Sequence, residues 1–203
     1  MSTELTSKTR YNDRAFSDLS QTKTRIESSS FYECNFDNCS FAETVFYNCR
    51  FVDCTFESCD LSLIQITSTV LSGVRFESSR LIGIDWTQAD WNAISLGDPV
   101  RFTKCIISHS TFIGINLRKI KITDTTAKNV DFREVDLSCV DFAGTDLTDS
   151  MFANTNLSEA DLTKARNYTI APEKNNLKGA RFSLPEAMSL LFNLDIVLVE
   201  EDS

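Results

Sequence analysis

The chain has one histidine among its 203 residues, three prolines and six glycines. The lone His109 is joined by no Ser/His/Asp set, phosphate-binding glycine loop or paired metal motif, so no enzyme is expected. Cations are the minority charge, with 20 Lys and Arg against 29 Asp and Glu and a net charge of −9. That balance argues against nucleic acid as a direct ligand. No stretch is long and apolar enough to cross a bilayer. The opening MSTELTSKTRYNDR is polar and lacks the apolar core of a signal peptide. These absences predict a cytoplasmic protein without cofactor, metal or membrane partner.

What the chain has instead is a period of five. Large apolar residues recur at Phe31, Phe36, Phe41, Phe46, Phe51, Phe56, Leu61, Ile66, Leu71, Phe76, Leu81, Trp86, Trp91 and Leu96. After one extra residue the frame resumes at Phe102 and runs to Leu162. Two residues before each centre sits a small or β-branched residue, such as Cys34, Thr44, Val74 or Val135. A period of five fits neither a helix nor a flat strand. Four pentads make a square coil, so residues twenty apart stack at the inter-strand spacing of about 4.8 Å.

Six of the seven cysteines (34, 39, 49, 54, 59 and 105) fall at the small inward position. Their spacing is not that of zinc knuckles, and buried thiols there act as small hydrophobes. Cys139 follows its centre, Leu137, by two residues and is expected to face outward as the most reactive thiol.

The frame divides the chain into a flexible tail (1–13), a first solenoid segment (14–96), a register break (97–101), a second segment (102–165) and a C-terminal cap (166–203). Gly97, Asp98 and Pro99 mark the break as a bulge or bend and a candidate site. Ser183 and Glu186 read as a capping box ahead of a short helix. Its stripe is Ala187, Leu190, Leu191 and Leu194, widened by Met188 and Phe192. The excess apolar width points to a homodimer, with Met188, Leu191, Phe192 and Leu194 as its contacts.

Five aspartates (131, 136, 141, 146 and 161) precede a centre and are expected to cap local turns. Asp37, Glu57 and Glu77 follow their centres at intervals of twenty and should stack as a carboxylate ladder; Glu33 and Asp53 form a second pair. Residues 129–162 hold eight acids and one base, Arg133. Within them Glu134, Asp149 and Glu159 join Asp37, Glu57 and Glu77 as candidate partner-facing acids. Spread over the rod, the net charge is about 0.25 per Å, against about 0.6 for duplex DNA.

Units such as Ala160-Asp161-Leu162-Thr163-Lys164 and Thr145-Asp146-Leu147-Thr148-Asp149 resemble the A(D/N)LXX unit of pentapeptide-repeat proteins. Segments 59–64, 85–91 and 180–187 resemble the antibiotic-resistance members of that family, which counter albicidin and quinolones. The resemblance implies an all-β, right-handed quadrilateral β-helix with a C-terminal capping and dimerisation helix. It also implies a DNA-mimicking, non-enzymatic protein that binds DNA gyrase or topoisomerase IV. One departure stands out. Quinolone-resistance members carry two projecting loops, and this frame leaves room for none of that size before Leu162. The alternative function is a scaffold or protein-interaction solenoid without a topoisomerase role; cations interrupting the acidic columns would favour it.

Overall fold

The computed structural model describes residues 4–91, 100–194, 196 and 199. The chain winds as a right-handed, four-sided parallel β-helix. Strands pair in parallel, and successive coils match residues twenty apart, as in Phe31 with Phe51 and Phe36 with Phe56. The longest sheet takes its strands from Ala15–Ser17, Asn35–Asp37, Thr55–Glu57, Val74–Glu77, Val100–Thr103 and Lys121–Thr123.

Each side is three residues long, with its centre buried and its flanks outward. Centres stack into columns of rings along the axis. Phe16, Phe36 and Phe56 follow at 5.0 and 4.5 Å, then Phe76 and Phe102 at 5.3 Å each. Such ring pairs contribute about 0.5–1.5 kcal/mol beyond their burial. Where the Phe columns give way to Leu61, Ile66 and Leu71, a void of about 20 Å³ remains, walled by Phe51, Phe56, Phe76 and Trp86 among others.

The small inward residue has a second task. Its hydroxyl or thiol donates to a backbone carbonyl of the preceding coil, as in Thr69 Oγ1 to Phe46 O (2.8 Å), Thr145 Oγ1 to Ile122 O and Cys54 Sγ to Phe31 O (3.4 Å). The inward cysteines are therefore hydrogen-bond donors as well as packing groups. Burial pushes the Cys54 thiol up to about 12 and the Cys105 thiol to about 11.

Corners are turned by the residue two after each centre, held at positive φ: Glu33 at 53°, Asn38 at 51°, Asp53 at 52°. That conformation is strained for non-glycine residues. It persists because the corner N–H bonds the next coil, as in Glu33 N to Val52 O at 2.9 Å. The aspartates before the centres do cap turns: Oδ1 of Asp136, Asp141 and Asp161 each accepts an N–H two residues on, at 2.9–3.1 Å.

Four boundaries differ from the sequence reading. The tail is ordered from Leu5, which is buried, and Tyr11 stacks on Phe31 at 5.0 Å. Gln21, polar at a centre position, donates to and accepts from the Leu5 backbone at 2.7 Å each, replacing a strand neighbour. At the break, Val74 pairs with Val100 and Asp85 with Thr111, an offset of 26 rather than 20. Asp90 still bonds Thr69 in the earlier register. Six extra residues, not one, therefore lie between Asp90 and Val100. Leu96 sits five after Trp91 and so made the insertion look like a pentad; Leu96, Gly97, Asp98 and Pro99 lie outside the described residues.

At the other end the coil continues past 165, since Asn156 pairs with Asn176 and Leu162 with Phe182. Asn167, at a centre position by count, instead turns outward at φ 59°, and the buried Tyr168 fills the core beside it. Ser183 and Glu186 do not cap their helix. Ser183 Oγ accepts from Lys164 N at 2.9 Å and Glu186 Oε1 from Asn167 N, so both close the last coil. The helix, Glu186–Asn193, is 3₁₀ rather than α. With three residues per turn, Met188, Leu191 and Leu194 share one row. Met188 and Leu194 are exposed, whereas Leu190 packs against the core. The winding thus moves Leu191 and Leu194 from the docking stripe of an α-helix to the outward row.

Candidate functional site: a charged face of the rod

The interior holds rings and aliphatic chains, so function must be sought on the surface. Among the described residues no cluster of His, Cys, Asp or Glu has the arrangement of a metal site. His109 is an exposed corner residue with φ 60°. Cys139 is a half-buried corner residue whose thiol lies 3.6 Å from Glu159 Oε2.

The register brings the N-terminal acids together on one face, that of Phe16, Phe36, Phe56 and Phe76. Asp37, Glu57 and Glu77 are direct neighbours on adjacent strands and all are exposed. The corner column on the opposite flank of this face is Asp13, Glu33 and Asp53. Asp18, also a corner residue, lies beside Asp37 and accepts from Asn38 Nδ2 at 2.6 Å. Over three coils, about 14 Å, six carboxylates face one guanidinium, Arg14. The strip carries about 0.35 charge per Å, roughly half the density of duplex DNA.

The other acids behave differently. Glu134, Asp149 and Glu159 occupy three different corners and do not converge. In the acid-rich window 129–162 three of the eight acids are ion-paired, two of them with cations lying outside it. Asp146 meets Lys128 at 3.4 Å and Arg166 at 3.7 Å, and Asp161 meets Arg181 at 3.0 Å. Asp131 takes a two-pronged contact from Arg133, at 2.6 and 2.9 Å. Asp146 is desolvated, which alone would raise its pKa. Bonds from Asn167 and Thr148 outweigh that, and the carboxyl sits at about 2. A linear window misses such pairs because partners lie one coil, twenty residues, away.

The whole rod is nearly neutral. Five of the 29 acids (Glu4, Asp195, Glu200, Glu201 and Asp202) lie outside residues 5–194, whereas all 20 cations lie inside. The coils therefore carry 24 acids against 20 cations, a net of −4. Over eight coils of about 4.8 Å that is about 0.1 per Å. Negative charge is concentrated in the strip rather than spread along the rod.

At the C-terminal end, Leu184, Met188, Leu194, Ile196 and Val199 are all exposed. Phe192's side chain lies outside the described atoms.

A parallel square solenoid with a five-residue repeat defines a narrow class of protein. The pentapeptide repeat region matches residues 29–100 and 96–162, and the chain belongs to the pentapeptide-repeat family. No curated protein matches it. Its fold is similar to that of QnrB1, a plasmid-mediated fluoroquinolone resistance protein. A trypsin-treated variant of QnrB1 aligns with TM-score 0.68 and 19% identity over 94% of this chain and 100% of that one. Full-length QnrB1 gives 0.61 and 20% over 92% and 100%. HetL of the cyanobacterium Nostoc sp. strain PCC 7120, involved in heterocyst differentiation regulation, gives 0.58 and 15% over 85% of each chain. At these identities the likeness is one of fold.

Proposed function

We propose that the protein is a non-enzymatic, cytoplasmic binding protein whose acidic strip engages the DNA-binding surface of DNA gyrase or topoisomerase IV. Bound there it would inhibit the enzyme, protect it from inhibitors such as albicidin or quinolones, or both. The observation that carries the reading is the strip of Asp13, Asp18, Glu33, Asp37, Asp53 and Glu57. It presents roughly half the charge density of duplex DNA along one face of the rod. Fold likeness to a fluoroquinolone-resistance protein supports it.

The test is gyrase supercoiling and topoisomerase IV decatenation with added protein, with and without albicidin or ciprofloxacin. Wild-type protein should alter activity or drug sensitivity. Glu33→Gln/Asp37→Asn/Asp53→Asn/Glu57→Gln should lose the effect about tenfold or more, because long-range attraction scales with the strip's charge. No effect of the wild type on either enzyme would sink the reading. The near-neutral coils favour a second reading, a scaffold solenoid with no topoisomerase role.

The outward row of Met188, Leu191 and Leu194, together with Leu184 and Ile196, supports a homodimer joined through the C-terminal segment. Met188→Asp/Leu194→Asp should give a folded monomer by light scattering. An unchanged dimer would refute that interface, and a wild-type monomer would refute dimerisation.

A further inference from the structure

The same face that carries the acidic strip changes sign along its length. On its other flank the register stacks Arg75 on Arg101 and Arg101 on Lys121, one per strand on three consecutive strands. All three are exposed. Like charges at about 4.8 Å repel by on the order of 1 kcal/mol per neighbour in water.

Six other cations directly precede a centre position, and none of them stacks directly on another cation; three of the six are ion-paired. Arg166 and Arg181 each meet the carboxylate one coil earlier, Asp146 and Asp161. Arg25 reaches Glu27 and Arg133 reaches Asp131, each two residues away on the same side. Arg75 has Glu77 at that spacing and Lys121 has Asp141 next in its column, yet neither cation makes an ion pair among the described residues.

We infer that Arg75, Arg101 and Lys121 form a docking strip for a short carboxylate-rich segment of a partner protein. The charge bracketing selects that occupant. Going up the column the cations give way to Asp141 and Asp161; across the face, Glu77, Glu57 and Asp37 continue downward. The cationic run is therefore about 10 Å long. A polyanion following the rod would meet carboxylates at both ends, whereas an acidic peptide element with two or three carboxylates fits between them. The overall charge of −9 also repels long polyanions. The strip is independent of the topoisomerase reading, because it needs an acidic partner rather than a basic groove.

The test is fluorescence anisotropy with a short labelled peptide of alternating Glu and Ser, and with a single-stranded oligonucleotide of matched length. Full-length protein should bind the peptide at low salt and release it as salt rises. Arg75→Glu/Lys121→Glu should weaken binding at least about tenfold, and the milder Arg75→Gln/Lys121→Gln should fall between. Asp37→Asn/Glu57→Gln/Glu77→Gln should strengthen it by removing the flanking repulsion. No peptide binding at low salt, equal binding by the charge-reversed protein, or tighter binding of the oligonucleotide than of the peptide would each overturn the inference. A protein that binds the peptide through this strip but leaves both topoisomerases untouched would separate the two proposals.

Discussion

Leu71→Phe should stabilise the protein, although it enlarges a residue already buried in the core. Leu71 continues the column of Tyr11, Phe31 and Phe51, whose rings are spaced at 5.0 and 4.6 Å. It also lines the void of about 20 Å³ left where the Phe columns end. Cavity volume costs about 24 cal/mol per Å³, so filling this one recovers about 0.5 kcal/mol. A new ring stacked on Phe51 adds about 0.5–1.5 kcal/mol. The gross gain is about 1–2 kcal/mol, against an overpacking cost that reaches about 1–3 kcal/mol where no space exists. With the void present the balance should be about +1 kcal/mol, or roughly 2–4 °C in Tm for a chain of this size. Circular-dichroism melts and urea titrations measure it. The control is Leu137→Phe, on the same side of the coil but away from the void, which should lose about 1–3 kcal/mol. Equal destabilisation of the two variants would refute the void and the column assignment together.

Asp146→Asn should cost about 1–3 kcal/mol by removing a desolvated, hydrogen-bonded charge partner of Lys128 and Arg166. The folded carboxyl, at about 2, lies below its ordinary value of 3.8, so its stabilisation is present above about pH 4 and fades as pH falls toward 2. The Asn variant should flatten that part of a pH–stability profile; an unchanged profile would contradict the assignment. Gly144→Ala should destabilise more than Gly114→Ala, as measured by urea titration. Both have φ above 70°, but a Cβ at 144 would meet Asp124 Oδ1 at 2.3 Å and one at 114 meets nothing within 4 Å. Equal losses would mean that backbone strain alone decides. A thiol-reactive dye on native protein should label Cys139 rapidly and the six inward cysteines only on unfolding, since burial raises thiols such as Cys54 and blocks access. Fast labelling of several thiols would break the inward assignment.

The five-residue frame was legible because each pentad repeats one physical requirement, a large and a small residue pointing inward. Phe36, Leu81, Phe132 and Leu157 were all placed from that alone and are buried. The frame failed where something other than an apolar side chain met the requirement. Gln21 serves through its amide on Leu5, and at the exposed Asn167 the neighbouring Tyr168 supplies the buried ring instead. It also cannot distinguish one extra residue from six when an apolar residue such as Leu96 falls five after Trp91. The terminal helix was legible as a helix but not as 3₁₀; Met188, Leu191 and Leu194 were legible as contacts from the excess apolar width, but not as one row. The ladder of Asp37, Glu57 and Glu77 was legible from intervals of twenty. The cations at 75, 101 and 121 were not, because the insertion between Asp90 and Val100 breaks the interval between the first two.

That last point changes what the charge of this protein means. A net −9 suggests a uniformly negative rod, but five of the acids lie near the chain ends and the coils carry only −4. What survives is one face, negative over its first three coils and positive over the three strands from Val74 to Thr123. The sign changes at the strand Val74–Glu77, which presents Arg75 on one flank and Glu77 on the other. A uniform rod could enter a charged groove in either direction, since reversing it changes nothing electrostatically. A rod with this face cannot: turning it end for end puts like charges together over about 10 Å, at a cost that grows with every rung. Any partner that contacts both halves of the face therefore reads direction as well as charge. The six-residue insertion contributes to this, because it sets which cation stacks on Arg75.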